Sequence, residues 1–355
     1  MEMLVEINSL LSRFVLTNNQ HLSVEDVNEL VKPTDEALDL VHEWLAANGI
    51  EKCDYSPAKD WVNVYIDVES AERLLDTEYY IFEHADGTQV SRAPEWSLPK
   101  HLHEYIDTIQ PTTAFMNTEA LATQWKQFDT AWTPPDYTTP TDPAIAQACS
   151  INGTTPDCFA TLYQTKGYIQ KVPGINQIGF NNFLGEIPIQ PDAVKFLKQY
   201  RPDAVPGAYS VKRIDIAGGP DQTGPLNASE AASGISKEAN LDFQTILGQT
   251  FPMPITSYST GGAPPEVGDA ASGYGNPGNE PYLTWVNYVL SQPFPPQVIS
   301  TSYADDEQTV PLDFATRVCQ SFAQLGARGH TLLFGSGDGG AGGECTLTFY
   351  LPKRC

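Results

Sequence analysis

Val298-Ile299-Ser300-Thr301-Ser302, then Pro311 to Leu325, then Thr331-Leu332-Leu333-Phe334 is the stretch on which the fold turns. Its outer pieces are short, mostly apolar runs that read as buried strands. Its middle piece sets Phe314, Val318 and Phe322 on one helical stripe, and Gly326 follows as a stop. A strand, a helix and a second strand in that order predict parallel strands joined by a crossover helix. The alternation runs upstream. Strands are expected at Gln177–Phe180, Val211–Ile216 and Ile255–Tyr258, and helices at Pro191–Tyr200, Glu230–Leu247 and Leu283–Ser291. The fold class expected from about residue 160 onward is therefore α/β, a parallel sheet with helices on both faces. In such sheets chemistry sits at the carboxyl ends of the strands.

The first 110 or so residues read differently. Ser23-Val24-Glu25-Asp26 is an N-cap with a returning acid. Thr34 to Asn48 places Leu38, Val41 and Leu45 on one face, and Gly49 ends it. Trp61 to Ile66 alternates like a strand, Ser70 to Leu75 is a short helix, and Tyr79 to Phe82 is a second strand. This is a compact α+β unit. Trp132 to Pro143 carries four prolines and no apolar period, and reads as an extended linker.

Composition narrows the function classes. Twenty Lys and Arg stand against 44 Asp and Glu, a formal charge of −24. Binding phosphate backbones takes clustered cations, so nucleic acid is excluded as a partner. No run approaches the roughly 20 apolar residues of a membrane span. Six cysteines contain no C-x-x-C, which argues against zinc and thioredoxin-like redox chemistry. Cys149 and Cys158 bracket the sequon Asn152-Gly153-Thr154, and Asn227-Ala228-Ser229 is a second sequon. Together they point to a secreted, oxidising setting. The N-terminus, Met1-Glu2-Met3-Leu4-Val5-Glu6, has acids where a signal peptide has bases, so no signal peptide is expected in this chain.

Several catalytic signatures are absent: G-x-x-x-x-G-K-[ST], H-E-x-x-H and G-x-S-x-G. The second half holds a single histidine, His330, at the start of an expected strand and so at the wrong end for a Ser-His-Asp triad. Gly335 to Gly340 matches G-x-G-x-x-G, but the following Ala341-Gly342-Gly343-Glu344 is poor helix material. A dinucleotide site needs a helix N-terminus there. The same loop holds Asp338 among glycines that would let a substrate backbone approach, or is simply a glycine-rich turn whose acid bonds backbone amides. Glu238 and Asp242 stand four residues apart, so a helix carries both carboxylates on one face. Desolvated together, such carboxylates share a proton and one becomes a base. Solvated, they are only an acidic helix face. Leu241 and Phe243 beside Asp242 imply that part of this helix is buried.

Four segments, taken together, resemble the sedolisins, the serine-carboxyl peptidases, and among them the secreted fungal tripeptidyl-peptidases. They are Glu238 to Gln244, Val298 to Glu307, Cys319 to Gly329 and Ser336 to Gly340. His21 to Gly49 and Leu98 to Ile109 resemble the family's activation domain. The resemblance implies a ferredoxin-like α+β activation prodomain over 1–115, a linker with the processing region over 116–148, and the N-terminal part of a subtilisin-like catalytic domain, its parallel sheet incomplete, over 149–355. It further implies Glu238 as general base, Asp242 as the acid behind it and Asp338 in the oxyanion hole. The partners implied are peptide or protein substrates, with the prodomain set against its own catalytic domain. The family's nucleophilic serine lies in a Gly-Thr-Ser motif, and no such tripeptide occurs here. The family's calcium site also belongs to the part beyond this chain, so no cofactor is expected within it. The expected activity is acid-active release of tripeptides from N-termini, with this chain inactive as given. The alternative is a non-catalytic fragment or splice product acting as a prodomain-type binding module. A glycosidase is disfavoured, because its two carboxylates usually come from different elements that flank a sugar ring.

Overall fold

The computed structural model describes residues 21–83, 89–110, 112–113, 142–150, 154–172, 175–221, 224–233, 235–262, 281–304 and 310–336. The chain divides into two compact units, one of residues 1–118, 262–295 and 303–355, the other of residues 119–261 and 296–302.

In the first unit, α1 (Val24–Val31) opens on Ser23, whose hydroxyl accepts from the Asp26 amide while the Asp26 carboxylate accepts from the Ser23 amide. This is the capping box read from the sequence. α2 (Asp35–Ala47) is capped by Thr34. A short antiparallel pair follows, β1 (Asp54–Tyr55) with β2 (Val62–Asn63). The strand expected over Trp61–Ile66 is thus reduced to two residues, because its partner is equally short. Val64 and Ile66 still pack, joining Val41, Trp44 and Ile50 around Leu45, Leu74 and Leu75. α3 (Val68–Leu75) is capped by Asp67 and ends on Asp76 in the left-handed region, φ 46°. β3 (Tyr80–Glu83) and β4 (Gln89–Arg92) form an antiparallel pair.

α4 (Pro143–Ala148) and α5 (Pro156–Leu162) each begin with proline at the first helical position, where the missing amide costs nothing. A disulfide joins Cys149 to Cys158 between them. Then come β5 (Ile178–Asn182), α6 (Gln190–Tyr200), β6 (Lys212–Ile216), α7 (Ala228–Ser233), α8 (Lys237–Thr250), β7 (Ile255–Thr260), α9 (Tyr282–Ser291), β8 (Val298–Thr301), α10 (Leu312–Ala327) and β9 (Thr331–Phe334). Five strands make one sheet in the order β6-β7-β5-β8-β9. β5 runs parallel to both β7 and β8, with Ile178 opposite Ile255 and Val298, and β6 runs parallel to β7. The expected α/β class with a parallel sheet, preceded by an α+β unit, is what the chain adopts.

One expected element is divided. The helix read over Glu230–Leu247 is two helices, α7 and α8, separated at Ser236, which is buried and sits at φ 67°. A left-handed residue breaks the helical path and re-aims the chain. The apolar face of α8 then packs where the sequence placed it: Phe243 and Leu247 join Phe180, Val194, Leu197 and Ile255 in the core. Phe243 stacks on Phe180 with centroids 5.9 Å apart. Leu241, expected to share in the burial, is instead half exposed at 52%.

At their carboxyl ends the central strands turn polar. The Asn181 amide donates to Thr301 Oγ1 at 3.0 Å, and the Asn182 amide donates to Ser257 Oγ and the Tyr258 carbonyl. All four side chains are buried. The sheet is greasy where it meets α6 and α8 and hydrogen-bonded where chemistry is expected.

Candidate active site

The carboxyl ends of two neighbouring strands, β5 and β8, and the first two turns of α8 converge. β5 ends at Asn182 and the chain turns through Leu184 and Gly185, both at positive φ, to place Glu186. Glu186 is 3% exposed, and its Oε2 accepts from the Ala239 amide at 2.8 Å. Ser236, at the N-cap position of α8, makes no side-chain capping bond. A carboxylate from another element takes over that role, with the helix dipole in its favour. Asn240 adds a second tie, its Oδ1 accepting from the Ile189 amide at 2.8 Å. α8 is thereby held against the loop that leaves β5.

Glu238 is the second residue of α8 and half-buried. Asp242, one turn later, is buried at 8% exposure. Its Oδ1 accepts from the Ser302 hydroxyl at 2.6 Å, and Ser302 directly follows β8. Its Oδ2 is fully buried and has no hydrogen-bond partner among the described residues. Burial is the main force raising the Asp242 carboxyl to about 7. The Ser302 bond opposes the shift, and the nearby Glu238 and Glu186 add to it. Glu186 is also raised, chiefly by burial, although the Ala239 amide bond offsets part of that. The pairing of Glu238 and Asp242 read from their spacing is therefore not a solvated acidic face: one partner is desolvated and keeps its proton well above the usual carboxylate range.

The two carboxyl groups thus stand one helical turn apart, and one of them is desolvated. An acid that holds its proton near neutrality donates a hydrogen bond throughout the acid range, and its neighbour is left free to accept protons. Asp338, the third residue singled out from the sequence, lies outside the described residues. Glu186 and Ser302 were not anticipated. A signal for Glu186 exists, an acid just beyond an apolar run that reads as a central strand, which is the reasoning applied to Asp338. Among the described residues, no cluster of three or more His, Cys, Asp or Glu is arranged to hold a metal ion, and no helix is long and apolar enough to cross a membrane.

Residues 16–115 match the family described as Pro-kumamolisin, activation domain. The probable tripeptidyl-peptidase SED3 of Trichophyton verrucosum is 32% identical over 331 residues, 92% of this chain and 53% of that protein. The tripeptidyl-peptidase SED2 of Arthroderma otae is 32% identical over 336 residues, 92% of this chain and 53% of that protein. The tripeptidyl-peptidase sed4 of Aspergillus fumigatus is 34% identical over 330 residues, 91% of this chain and 51% of that protein. The chain spans about half the length of the curated relatives it matches. The chain thus begins with a match to an activation domain and is similar, over nine-tenths of its length, to tripeptidyl-peptidases of the sedolisin type.

Proposed function

We propose that these residues belong to a secreted, acid-active tripeptidyl-peptidase of serine-carboxyl type, with Glu238 as general base, Asp242 as the acid behind it and Asp338 as the oxyanion donor. The observation that carries the reading is the buried Asp242, its carboxyl raised to about 7, one helical turn from Glu238. In acid a histidine base is protonated and useless, whereas a carboxylate of ordinary pKa, about 4, still accepts a proton. Glu238 would take the proton from a serine hydroxyl as that oxygen attacks the scissile carbonyl. A protonated Asp338 would donate to the oxyanion. Glu238 would then return the proton to the leaving amine, and water would release the peptide from the serine ester by the reverse sequence. The substrates would be peptides with free N-termini, and the activation domain would hold the enzyme as a zymogen. The two sequons and the Cys149–Cys158 disulfide fit passage through an oxidising compartment.

No Gly-Thr-Ser occurs in the 355 residues, so in this reading the chain alone forms no acyl-enzyme. The test is an assay of the purified chain at about pH 4, where the base would work, with a fluorogenic tripeptide substrate and a serine-directed acylating probe. Neither turnover nor labelling is expected. Turnover that Glu238→Gln abolishes, with one serine labelled, would overturn the inactivity and identify a nucleophile. Sequencing the transcript beyond codon 355 tests the larger reading, for which an in-frame Gly-Thr-Ser is expected. The activation-domain match favours a second reading, a prodomain-type binding module. Its mark would be inhibition of an intact relative by this chain.

A further inference from the structure

We infer that Ser302 is a positioning residue for the acid pair: its hydroxyl clamps one oxygen of Asp242 and reserves the other for Glu238. The inference rests on the reading of Glu238 and Asp242 as the proton-handling pair. Ser302 and Asp242 are 60 residues apart in sequence; Ser302 directly follows β8 and Asp242 lies on α8. A hydroxyl has one proton to give. Here it is given to Asp242 Oδ1, which therefore acts as acceptor in either charge state. When Asp242 is protonated, its proton sits on Oδ2, the buried oxygen with no partner among the described residues. The same clamp fixes the plane of the carboxyl group. Without it Asp242 could rotate and offer its proton elsewhere, to Glu186 among others.

The groups that act on Asp242 come from three directions. Glu238 lies on α8 itself, Glu186 comes from the loop after β5, and Ser302 from the end of β8. Both carboxylates resist ionisation of Asp242, and only Ser302 favours it. Removing the hydroxyl must therefore tighten proton binding, an effect that loss of packing alone does not produce.

The experiment is a carboxyl 13C NMR titration of the full chain labelled in aspartate, with Asp242 assigned by its loss in Asp242→Asn. Ser302→Ala is expected to raise the Asp242 midpoint by about one pH unit, a tenfold gain in proton affinity. Ser302→Thr keeps the hydroxyl and is expected to titrate as the unaltered chain does. An unmoved midpoint in Ser302→Ala overturns the inference, as does a rise in Ser302→Thr as large as in the alanine variant. Labelling of Ser302 by a serine-directed acylating probe also overturns it, because that hydroxyl would then be a nucleophile. A parallel titration labelled in glutamate separates this from the underlying reading. If Asp242→Asn leaves Glu238 unmoved, the pair itself fails, whatever Ser302 does.

Discussion

Arg317 on α10 and Asp60, beside β2, form a buried ion pair: each side chain is only 10% exposed, although the two residues are 257 positions apart. Asp60 is itself held by the Ser56 hydroxyl at 2.5 Å, and the guanidinium lies 5.3 Å from the centre of the Trp61 ring. Asp60 falls within the residues that match the activation domain, and Arg317 lies outside them. The pair is thus a joint between the activation domain and a helix of the segment that follows. Leu22 adds a backbone bond to the Ala327 carbonyl at the end of that helix. Removing one partner strands a charge in a dry site. Arg317→Met should cost about 3–5 kcal/mol, and Asp60→Asn with Arg317→Met together should cost less than the two single changes summed. Urea unfolding of the three variants measures the coupling.

The acid pair has a consequence for stability against pH. Asp242 is raised from 3.8 to about 7, so the folded chain holds this proton more tightly than the unfolded chain. The stability it lends is complete below the unfolded value of 3.8 and is lost as pH rises through 7. Glu186, also raised, acts in the same direction. The Asp242 contribution is roughly 4 kcal/mol across that interval. Melting temperature should therefore fall from acid to neutral pH. Asp242→Asn should flatten the fall and melt higher than the unaltered chain at about pH 8, where the carboxyl would be charged.

Glu186 caps a helix that has no cap of its own. Glu186→Ala leaves the Ala239 amide buried without a partner and should cost about 1–3 kcal/mol. Glu186→Gln keeps an acceptor oxygen and removes a neighbouring charge, so it should cost clearly less and lower the Asp242 midpoint. Thermal melts together with the carboxyl titration check both.

The Cys149–Cys158 bridge closes a loop of sequence separation 9. Cross-linking a loop of that length stabilises by about 2–3 kcal/mol in the chain-entropy account. The double change of both residues to serine should lower stability by that amount, with no effect on the carboxyl titrations. A change in those titrations would show that α4 and α5 communicate with the acid pair.

Much of the fold was legible because it follows from local periods. The strand over Thr331–Phe334 has the bounds expected of it, and the Ser23–Asp26 capping box forms as written. Both depend on neighbours a few residues away. The helix expected over Glu230–Leu247 failed at Ser236: Gly234 is a helix breaker that the sequence shows, but it does not by itself fix where the second helix begins. There the demand comes from outside, since α8 must start where Glu186 meets it. Trp61–Ile66 failed for a similar reason: alternation shows that a strand can form, and its partner sets how long it is.

By itself the sequence determined that Glu238 and Asp242 share a helix face, because a helix repeats every 3.6 residues and their spacing is local. It also determined a parallel sheet whose chemistry belongs at the carboxyl ends. Only the tertiary structure decided that Asp242 keeps its proton to about 7, that Ser302 bonds it and that Glu186 caps its helix. Desolvation depends on everything packed around a group, and these contacts join residues 60 and 53 positions apart, a distance over which no periodicity in a chain carries information.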